Sequence, residues 1–332
     1  MFALTNPATA IFFCVLTMIG WGSWANTQKL SERDRWPFPL FYWDYAIGVF
    51  LFAIIAALTL GMAGNPAVNS IANLRQAAAA PLEHAFVSGI FFNIANLLLV
   101  VAIDAAGMSV AFPIGIGLAL IIGTVESYLQ VPKGNAMLIT IGCALVVTAM
   151  IFSAISNRKN SGASTKKGVK GPVYAIIAGC LMGLFYPQLS RALSPSFNTG
   201  TIAGGTLMPY AALLIFTLGV LASNVVINTI FMRVNHVAYA AYFRGAGKTH
   251  LWGILGGMIW MFALTSNVIA SGVSGPAISY ALGQGATLIA ALWGIYIWRE
   301  FAHAPAGTWK FVILSLVSYA LGLILIGAAN FA

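Results

Sequence analysis

Two long apolar runs, residues 81–102 and 108–130, are separated by a link of only a few residues that ends at Gly107. Each run holds about 22 residues, and a helix that rises about 1.5 Å per residue needs about 20 of them to cross the ~30 Å hydrocarbon layer of a bilayer. A link this short cannot carry a folded loop. The two runs are therefore predicted to form a tight antiparallel hairpin of membrane helices.

The composition is that of an integral membrane protein with almost no soluble domain. Hydrophobic residues make up 60% of the 332 residues and charged residues only 7%, whereas soluble domains carry about 25% charge. The basic residues behind the net charge of +9 fall in the links between apolar runs, so a nucleic-acid partner is not expected. Cys14, Cys143 and Cys180 lie in apolar runs without metal-ligand spacing, and the sequence has no G-x-S-x-G motif or phosphate-binding loop. We therefore expect no enzyme activity, cofactor or metal.

Hydropathy predicts ten membrane spans. They cover residues 7–29, 38–62, 82–103, 107–130, 134–156, 171–191, 203–231, 250–271, 275–298 and 308–330. The longest polar stretch separates five spans from five. The predicted organisation is a first five-helix repeat at 1–156, a basic cytoplasmic linker at 157–170 and a second five-helix repeat at 171–332.

Lysine and arginine are distributed unevenly between the two sides of these spans. Thirteen of the sixteen lie in, or at the edges of, the links that follow spans 1, 3, 5, 7 and 9. Basic residues concentrate on the cytoplasmic side of membrane proteins. The linker at 157–170 is therefore predicted to be cytoplasmic and both termini to be outside, in a multi-pass protein of the cell (inner) membrane.

The two halves share a short pattern at equivalent places. Residues 105–109 after span 3 read AAGMS, and residues 270–274 after span 8 read ASGVS. Glycines follow in both next spans, at 115 and 117 and at 283 and 285. Because each half has five spans, the second copy must be inserted upside down. The predicted fold is an all-α integral membrane protein of ten transmembrane helices in two inverted five-helix repeats, the plan of many secondary transporters.

Several short motifs resemble one family of transporters. They are GWGSW at 20–24, YWDY at 42–45, AGMSV at 106–110, FYP at 185–187 and WRE at 298–300. With the two short hairpin links, they resemble the drug/metabolite transporter superfamily, and within it the bacterial glucose, ribose and rhamnose porters and the plant ureide permeases. The resemblance implies an EamA-like fold and secondary transport. Spans 1 and 6 hold no acidic residue, which argues against cation export by the mechanism of the small multidrug-resistance relatives.

Asp44 lies about two turns inside span 2. A carboxylate within the membrane costs several kcal/mol unless it is paired, hydrated or protonated. It is therefore a candidate proton-coupling or gating group, and the alternative is an interfacial ion pair with Lys29, Arg33 or Arg35.

Glu126 lies about one turn from the outer end of span 4 and is the second candidate coupling or gating acid. Its alternative role is an interfacial ion pair with Lys133.

Polar and aromatic side chains deep in the spans are the candidate solute-binding groups. Asn96 and Gln284 can exchange hydrogen bonds with a neutral polar solute, and Asn93 lies one turn from Asn96. Indole and phenol rings offer a flat apolar face with a polar edge, which suits a sugar or a planar ureide. A break in span 6 is predicted at residues 186–188. The full set is Trp21, Trp24, Asn93, Asn96, Tyr186, Gln188, Trp260, Tyr280 and Gln284.

These features predict a secondary active transporter that imports a small neutral polar metabolite by alternating access. A sugar carried by proton symport is the leading expectation. The alternatives are a permease for a ureide (allantoin) or nucleobase-like solute, a drug or metabolite exporter, and an uncoupled facilitator. The expected partners are the solute, protons and the lipid bilayer, and a homodimer is left open.

Overall fold

The computed structural model describes residues 1–63, 69–161, 169–195, 197–199 and 203–332. Within these ranges the chain is helical, and the one strand-like feature is an isolated bridge between Leu193 and Leu207. The α-helices are α1 (Pro7–Ser23), α2 (Ala25–Arg33), α3 (Phe38–Leu58), α4 (Ser70–Gln76), α5 (Ala79–Ala106), α6 (Met108–Gln130), α7 (Ala136–Ser161), α8 (Lys170–Ala192), α9 (Pro209–Val234), α10 (Tyr239–Phe243), α11 (Gly247–Ser274), α12 (Pro276–Gly283), α13 (Ala286–Leu292) and α14 (Thr308–Ala328).

Within the described residues, ten helical stretches are long and apolar enough to cross a membrane, which confirms the predicted number of spans. The first span joins α1 and α2, and the ninth joins α12, α13 and a π-helical turn at Trp293–Ile297. The other spans lie in α3, α5, α6, α7, α8, α9, α11 and α14. The chain is thus a multi-pass membrane protein.

The hairpin predicted around Gly107 is confirmed. α5 ends and α6 begins at this residue, whose φ is 81° and ψ is 157°. The turn between α11 and α12 has the same form at Gly275, with φ 83° and ψ 153°. A positive φ is strained for residues with a side chain and free for glycine, so glycine allows both turns to be this short.

The predicted break in span 6 is wrong. α8 runs without interruption through Pro187, a tolerated arrangement where neighbouring helices can satisfy the freed backbone groups. The broken span is the ninth, where α12 ends at Gly283 and α13 begins at Ala286. Glycine loses more backbone freedom in a helix than other residues do, which weakens the helix at this point.

The predicted linker at 157–170 lies partly outside the described residues. Residues 157–161 belong to the end of α7, and α8 begins at Lys170. The structure therefore shortens the segment between the fifth and sixth spans at both of its ends.

Glycines bring α5 and α9 into direct backbone contact. A Cβ atom added to Gly89 would lie 2.0 Å from the Phe216 carbonyl oxygen, and one added to Gly219 would lie 2.0 Å from the Phe86 carbonyl oxygen. Small residues of this kind let membrane helices approach closely, where van der Waals packing holds them together.

The same reciprocal contact joins α11 and α3. A Cβ atom on Gly257 would lie 2.0 Å from the Tyr45 carbonyl oxygen, and one on Gly48 would lie 2.1 Å from the Ile254 carbonyl oxygen. Two matched crossings therefore fix four of the spans around the middle of the bundle.

Alanine at the crossings is expected to destabilise the fold. Gly89→Ala and Gly257→Ala should each lower the free energy of unfolding by about 1–3 kcal/mol, the usual cost of overpacking. The reason is that the new methyl group overlaps a helix backbone oxygen rather than a mobile side chain. Thermal melting of the purified protein in one detergent measures the effect.

Gly117→Ala is the matched control, because no described atom outside its own helix lies within 4 Å of its added Cβ. Its melting temperature should equal or exceed that of the wild type, since alanine favours a helix. Equal melting temperatures for all three variants would contradict the close-crossing interpretation.

Candidate functional site

The glycine crossings bring aromatic rings together in the middle of the bundle. Phe92 lies one turn after Gly89, and Trp260 lies one turn after Gly257. The two rings stack with centroids 4.1 Å apart and an interplanar angle of 28°. We call the surrounding cluster the aromatic core. Its members are Trp21, Trp24, Tyr42, Tyr45, Phe92, Phe185, Tyr186, Phe216, Trp260 and Tyr280.

Trp260 is the centre of this core and links the two halves of the chain. Its ring stacks on Trp21 at 6.0 Å and contacts Tyr45 at 6.4 Å. Trp24 packs on Tyr45 at 5.0 Å. The structure thus brings three predicted solute-binding residues together (Trp21, Trp24 and Trp260), and it adds Tyr45, which the sequence offered as part of a motif only.

Polar atoms in and beside the aromatic core have no hydrogen-bond partner among the described residues. They include the Tyr45 hydroxyl, Trp21 Nε1 and Asn267 Oδ1, all of which are buried. A buried polar group without a partner costs about 1–3 kcal/mol. A group of this kind in a native structure calls for an explanation, such as a functional role or a bound water or ion.

Asn267 is a residue that the sequence did not single out. Its Nδ2 donates to the Ser279 carbonyl oxygen at 2.7 Å, which fixes the amide beside the broken ninth span. A Cβ atom on Gly283 would lie 2.7 Å from the Trp21 ring and 3.0 Å from Asn267 Nδ2. The break at Gly283 therefore brings backbone, indole and amide into contact.

Tyr186 and Tyr280 form a second pair in the core whose hydroxyls are already used. Their rings lie 5.0 Å apart. The Tyr186 hydroxyl lies 3.0 Å from Ser279 Oγ, and the Tyr280 hydroxyl donates to the Met182 carbonyl oxygen at 3.1 Å. Both side chains thus bind α8 to α12 in this structure.

The two asparagines of α5 face different helices. Asn93 Nδ2 donates to Ser223 Oγ on α9 at 3.0 Å, whereas Asn96 Nδ2 donates to the Tyr42 hydroxyl on α3 at 3.3 Å. Only Asn96 therefore reaches the aromatic core. Gln284 is partly buried at the break in the ninth span.

Asp44 lies in a buried cluster at the end of the bundle that carries Lys29, Arg33 and Lys248, which we call the basic end. Tyr242 Oη donates to Oδ1 at 2.7 Å, and Trp36 Nε1 donates to Oδ2 at 3.3 Å. His250 Nδ1 lies 2.9 Å from Oδ1. We expected Lys29, Arg33 or Arg35 as the partner of Asp44. The structure shows Tyr242, Trp36 and His250 instead.

Sequence reasoning missed both His250 and Tyr242 as partners of Asp44. Both residues lie about 200 positions from Asp44 in the sequence, and each is in a link or at a helix end. No local spacing joins them to Asp44, so only the packing of α11 on α3 could reveal the cluster.

Glu126 forms an ion pair with Arg191 at the opposite end of the bundle. The expected partner, Lys133, is instead placed against Gly275. Gln188 lies on the same side, 2.9 Å from His84 Nδ1 and within reach of Arg191. Glu126 and Gln188 therefore belong to one polar network that ties α6 to α8 outside the aromatic core.

A cavity of about 380 Å³ lies at the basic end between α2, α6, α7, the ninth span and α14. Its lining includes Asn26, Lys29, Trp293, Trp298 and Glu300. Lys29 forms an ion pair with Glu300 and lies over the face of Trp298, 4.7 Å from the ring centroid. The ion pair therefore joins the first span to the end of the ninth span beside this cavity.

The chain is similar to known membrane transport proteins along almost its whole length. The family model described as Ureide permease matches residues 41–170. Ureide permease 1 of Arabidopsis thaliana is 22% identical over 99% of each chain. A Listeria monocytogenes protein named for sugar uptake is 21% identical over 93% of this chain and 95% of its own length.

A solved crystal structure shares the fold. It covers 96% of this chain and 97% of its own, with a TM-score of 0.61 and 15% sequence identity. The likeness extends through all of the spans rather than one half, so the ten helices form an architecture that another protein also adopts.

Two buried tyrosines can be compared to test which hydroxyl groups contribute to the stability of the fold. Tyr45→Phe should leave the melting temperature unchanged or raise it, because its hydroxyl has no partner among the described residues. Tyr280→Phe should lower the free energy of unfolding by about 1 kcal/mol, because it removes a satisfied hydrogen bond. Thermal melting of both variants in parallel makes the comparison, and a larger loss for Tyr45→Phe would contradict an unused hydroxyl.

Proposed function

We propose that the protein is a secondary transporter that imports a small neutral polar solute across the cell membrane by proton symport. The observation that carries the proposal is the aromatic core, where buried donors and acceptors of Trp21, Tyr45 and Asn267 have no partner among the described residues. Similarity to proteins named as ureide permeases and for sugar uptake supports transport of small solutes. We also propose that the protein belongs to the drug/metabolite transporter superfamily.

The chemistry of the aromatic core favours a neutral solute. All of its members are aromatic, and none carries a charge at neutral pH. A charged solute would lose its hydration there without gaining a countercharge, at a cost of several kcal/mol. A neutral solute instead gains stacking on the rings of Trp21 and Trp260 and hydrogen bonds from the unused groups.

A planar ureide fits these groups better than a sugar does. Ureides carry both N–H donors and carbonyl acceptors in a flat frame. The core offers an indole N–H from Trp21 and a hydroxyl from Tyr45 beside flat ring faces, and the neighbouring Asn267 adds an amide oxygen. A sugar is the second candidate, supported by the rings, which can stack on a pyranose, and by the similarity to a sugar-uptake protein.

The proposed mechanism is alternating access between two inverted five-helix repeats. Gly89 and Gly257 are as far apart in sequence as the hairpin residues Gly107 and Gly275. The crossing glycines also contact matching atoms, since Gly89 meets the Phe216 carbonyl oxygen and the Val220 nitrogen, and Gly257 meets the Tyr45 carbonyl oxygen and the Val49 nitrogen. An odd number of spans in each half makes the second half run in the opposite sense, so the two halves can rock about the aromatic core.

Two ion pairs close opposite ends of the bundle in this mechanism. Lys29 and Glu300 join the first span to the ninth, and Arg191 and Glu126 join the sixth to the fourth. These helix pairs are equivalent in the proposed repeats. Breaking one ion pair while keeping the other opens one side at a time, and the cavity beside Lys29 is then the opening at the basic end, through which the imported solute leaves. Lysine and arginine are concentrated at this end, so we propose that it faces the cytoplasm.

Solute binding is tested by thermal shift of the purified protein with allantoin, uracil, glucose, ribose, rhamnose and a quaternary ammonium ion. A true solute at about 100 times its Kd should add about 2.7 kcal/mol of stability. Trp21→Phe keeps the stacking but removes the N–H, so affinity should fall about tenfold, the effect of ~1.4 kcal/mol.

Trp309→Phe is the control, since Trp309 is 45% exposed and lies outside the aromatic core. It should bind like the wild type. Stabilisation by the quaternary ammonium ion alone would overturn the neutral-solute argument and favour a drug exporter.

The ion pair at the basic end is tested by chemical labelling. In a chain with its native cysteines replaced, Ala25→Cys places a thiol in the cavity wall. Lys29→Gln should speed its modification up to about fivefold, because an exposed ion pair contributes up to about 1 kcal/mol. Asp34→Asn, which breaks the neighbouring exposed pair with Lys248, should not change the rate. Equal rates in both variants would contradict a closing role for Lys29.

A further inference from the structure

The Asp44 cluster joins the two halves of the chain at the basic end. Trp36 and Asp44 belong to the first half, and Tyr242 and His250 belong to the second. The rings also pack on one another: Trp36 meets His250 edge-on at 5.0 Å, and Tyr242 meets His250 edge-on at 4.7 Å. The cluster is therefore a single packed unit rather than a set of loose contacts.

We infer that Asp44 and His250 together are the proton-binding site of the transporter, with Tyr242 and Trp36 as positioning residues. The inference rests on the proposed function and names the group that would carry its proton. Glu126, the other candidate, is 31% exposed and already paired with Arg191, whereas Asp44 is 1% exposed. Protonation removes the high cost of a buried carboxylate charge, whereas a carboxylate at the surface is stabilised by water and gains less from a proton.

The proton exchange itself changes one N–H bond. When the site holds its proton, the His250 imidazolium faces the Asp44 carboxylate and the pair is neutral. When the proton leaves to water, a neutral imidazole faces the carboxylate and the pair carries one negative charge. His250 is the natural point of exchange, because its side chain is 24% exposed while that of Asp44 is 1% exposed.

The titratable and charged groups around the Asp44–His250 pair are its direct partners and the side chains of an exposed rim. Among the described residues, the titratable partners of the Asp44 carboxylate are His250 from α11 and Tyr242 from α10. Burial and the hydrogen bond to Asp44 raise the pKa of Tyr242 above that of an ordinary tyrosine, so it stays a donor. The exposed rim carries the Asp34–Lys248 ion pair and the side chains of Arg33, Arg35 and Arg244.

The proton site is mechanically connected to the aromatic core. Asp44 is followed directly by Tyr45 on α3, and a Cβ atom on Gly253 of α11 would lie 2.3 Å from the Asp44 Cβ. Trp260 lies about two turns further along α11. A negative charge left on the pair favours separation of α3, α10 and α11 so that water can reach it. The same separation moves Tyr45 relative to Trp260.

Protons bound at the site can be detected without any solute. The infrared difference spectrum of the purified protein between about pH 5 and about pH 8 covers the range in which histidine changes charge. A histidine band coupled to a carboxylate band is expected in the wild type. Asp44→Asn and His250→Gln should each remove it, and Asp34→Asn, which breaks the exposed ion pair with Lys248, should keep it.

Coupling is measured in vesicles that contain the full-length protein and the solute identified by thermal shift. Two rates are compared: accumulation driven by a pH gradient and exchange of solute at equal pH. In Asp44→Asn the ratio of accumulation to exchange should fall at least about tenfold, a loss of ~1.4 kcal/mol of coupling. His250→Gln should move the pH dependence of uptake. Asp34→Asn should match the wild type in both rates.

The outcomes separate the two proposals. A wild-type ratio in Asp44→Asn together with an unchanged infrared difference would overturn the assignment of the proton site. Absence of exchange in the wild type for every sugar and ureide would instead overturn the proposed function, while the infrared result would still decide whether Asp44 and His250 bind the proton. Loss of coupling in Glu126→Gln rather than in Asp44→Asn would assign the role to Glu126.

Discussion

The contact of helix backbones at four glycines is the constraint on which the rest of the structure depends. Membrane helices gain little from hydrophobic burial against one another, because lipid is as apolar as their side chains. Their close approach instead provides van der Waals contact, and Gly89 and Gly257 allow an approach that any side chain would block. This approach stacks Phe92 on Trp260 and packs α11 against Asp44. The aromatic core and the buried acid are therefore consequences of the same two crossings.

The two polar regions of the bundle differ in how completely their groups are satisfied. At the basic end, Asp44 accepts from Tyr242 and Trp36 and lies beside His250. In the middle, Tyr45 and Asn267 keep buried atoms without a partner in the described part of the chain. In the proposed mechanism, the first arrangement holds the proton and the second binds the solute. A transporter that couples a proton to a solute needs both kinds of place, close together but distinct.

The sequence was sufficient to predict features that depend on local composition. Apolar runs of the right length predicted ten spans, and a glycine in a short link predicted the hairpin at Gly107. It was not sufficient for contacts between distant residues: the partner of Glu126 was expected nearby at Lys133 and is Arg191 on another helix. The break was expected in span 6 at residues 186–188, and it lies in the ninth span at Gly283, next to Trp21. Such outcomes depend on which helices pack together, and one-dimensional patterns do not encode that.

The stacking of Trp260 has a consequence for how a solute enters. Phe92 stacks on Trp260 in direct ring contact, and Trp21 also stacks on Trp260, so both contacts occupy the faces of the Trp260 ring. A solute that stacks there must first rotate or separate these indoles. Indole emission depends on the polarity and packing of its surroundings, so occupancy of the core is coupled to the protein's own fluorescence. The molecule thus carries an intrinsic optical reporter at the place where transport is proposed to occur, without a dye or a label.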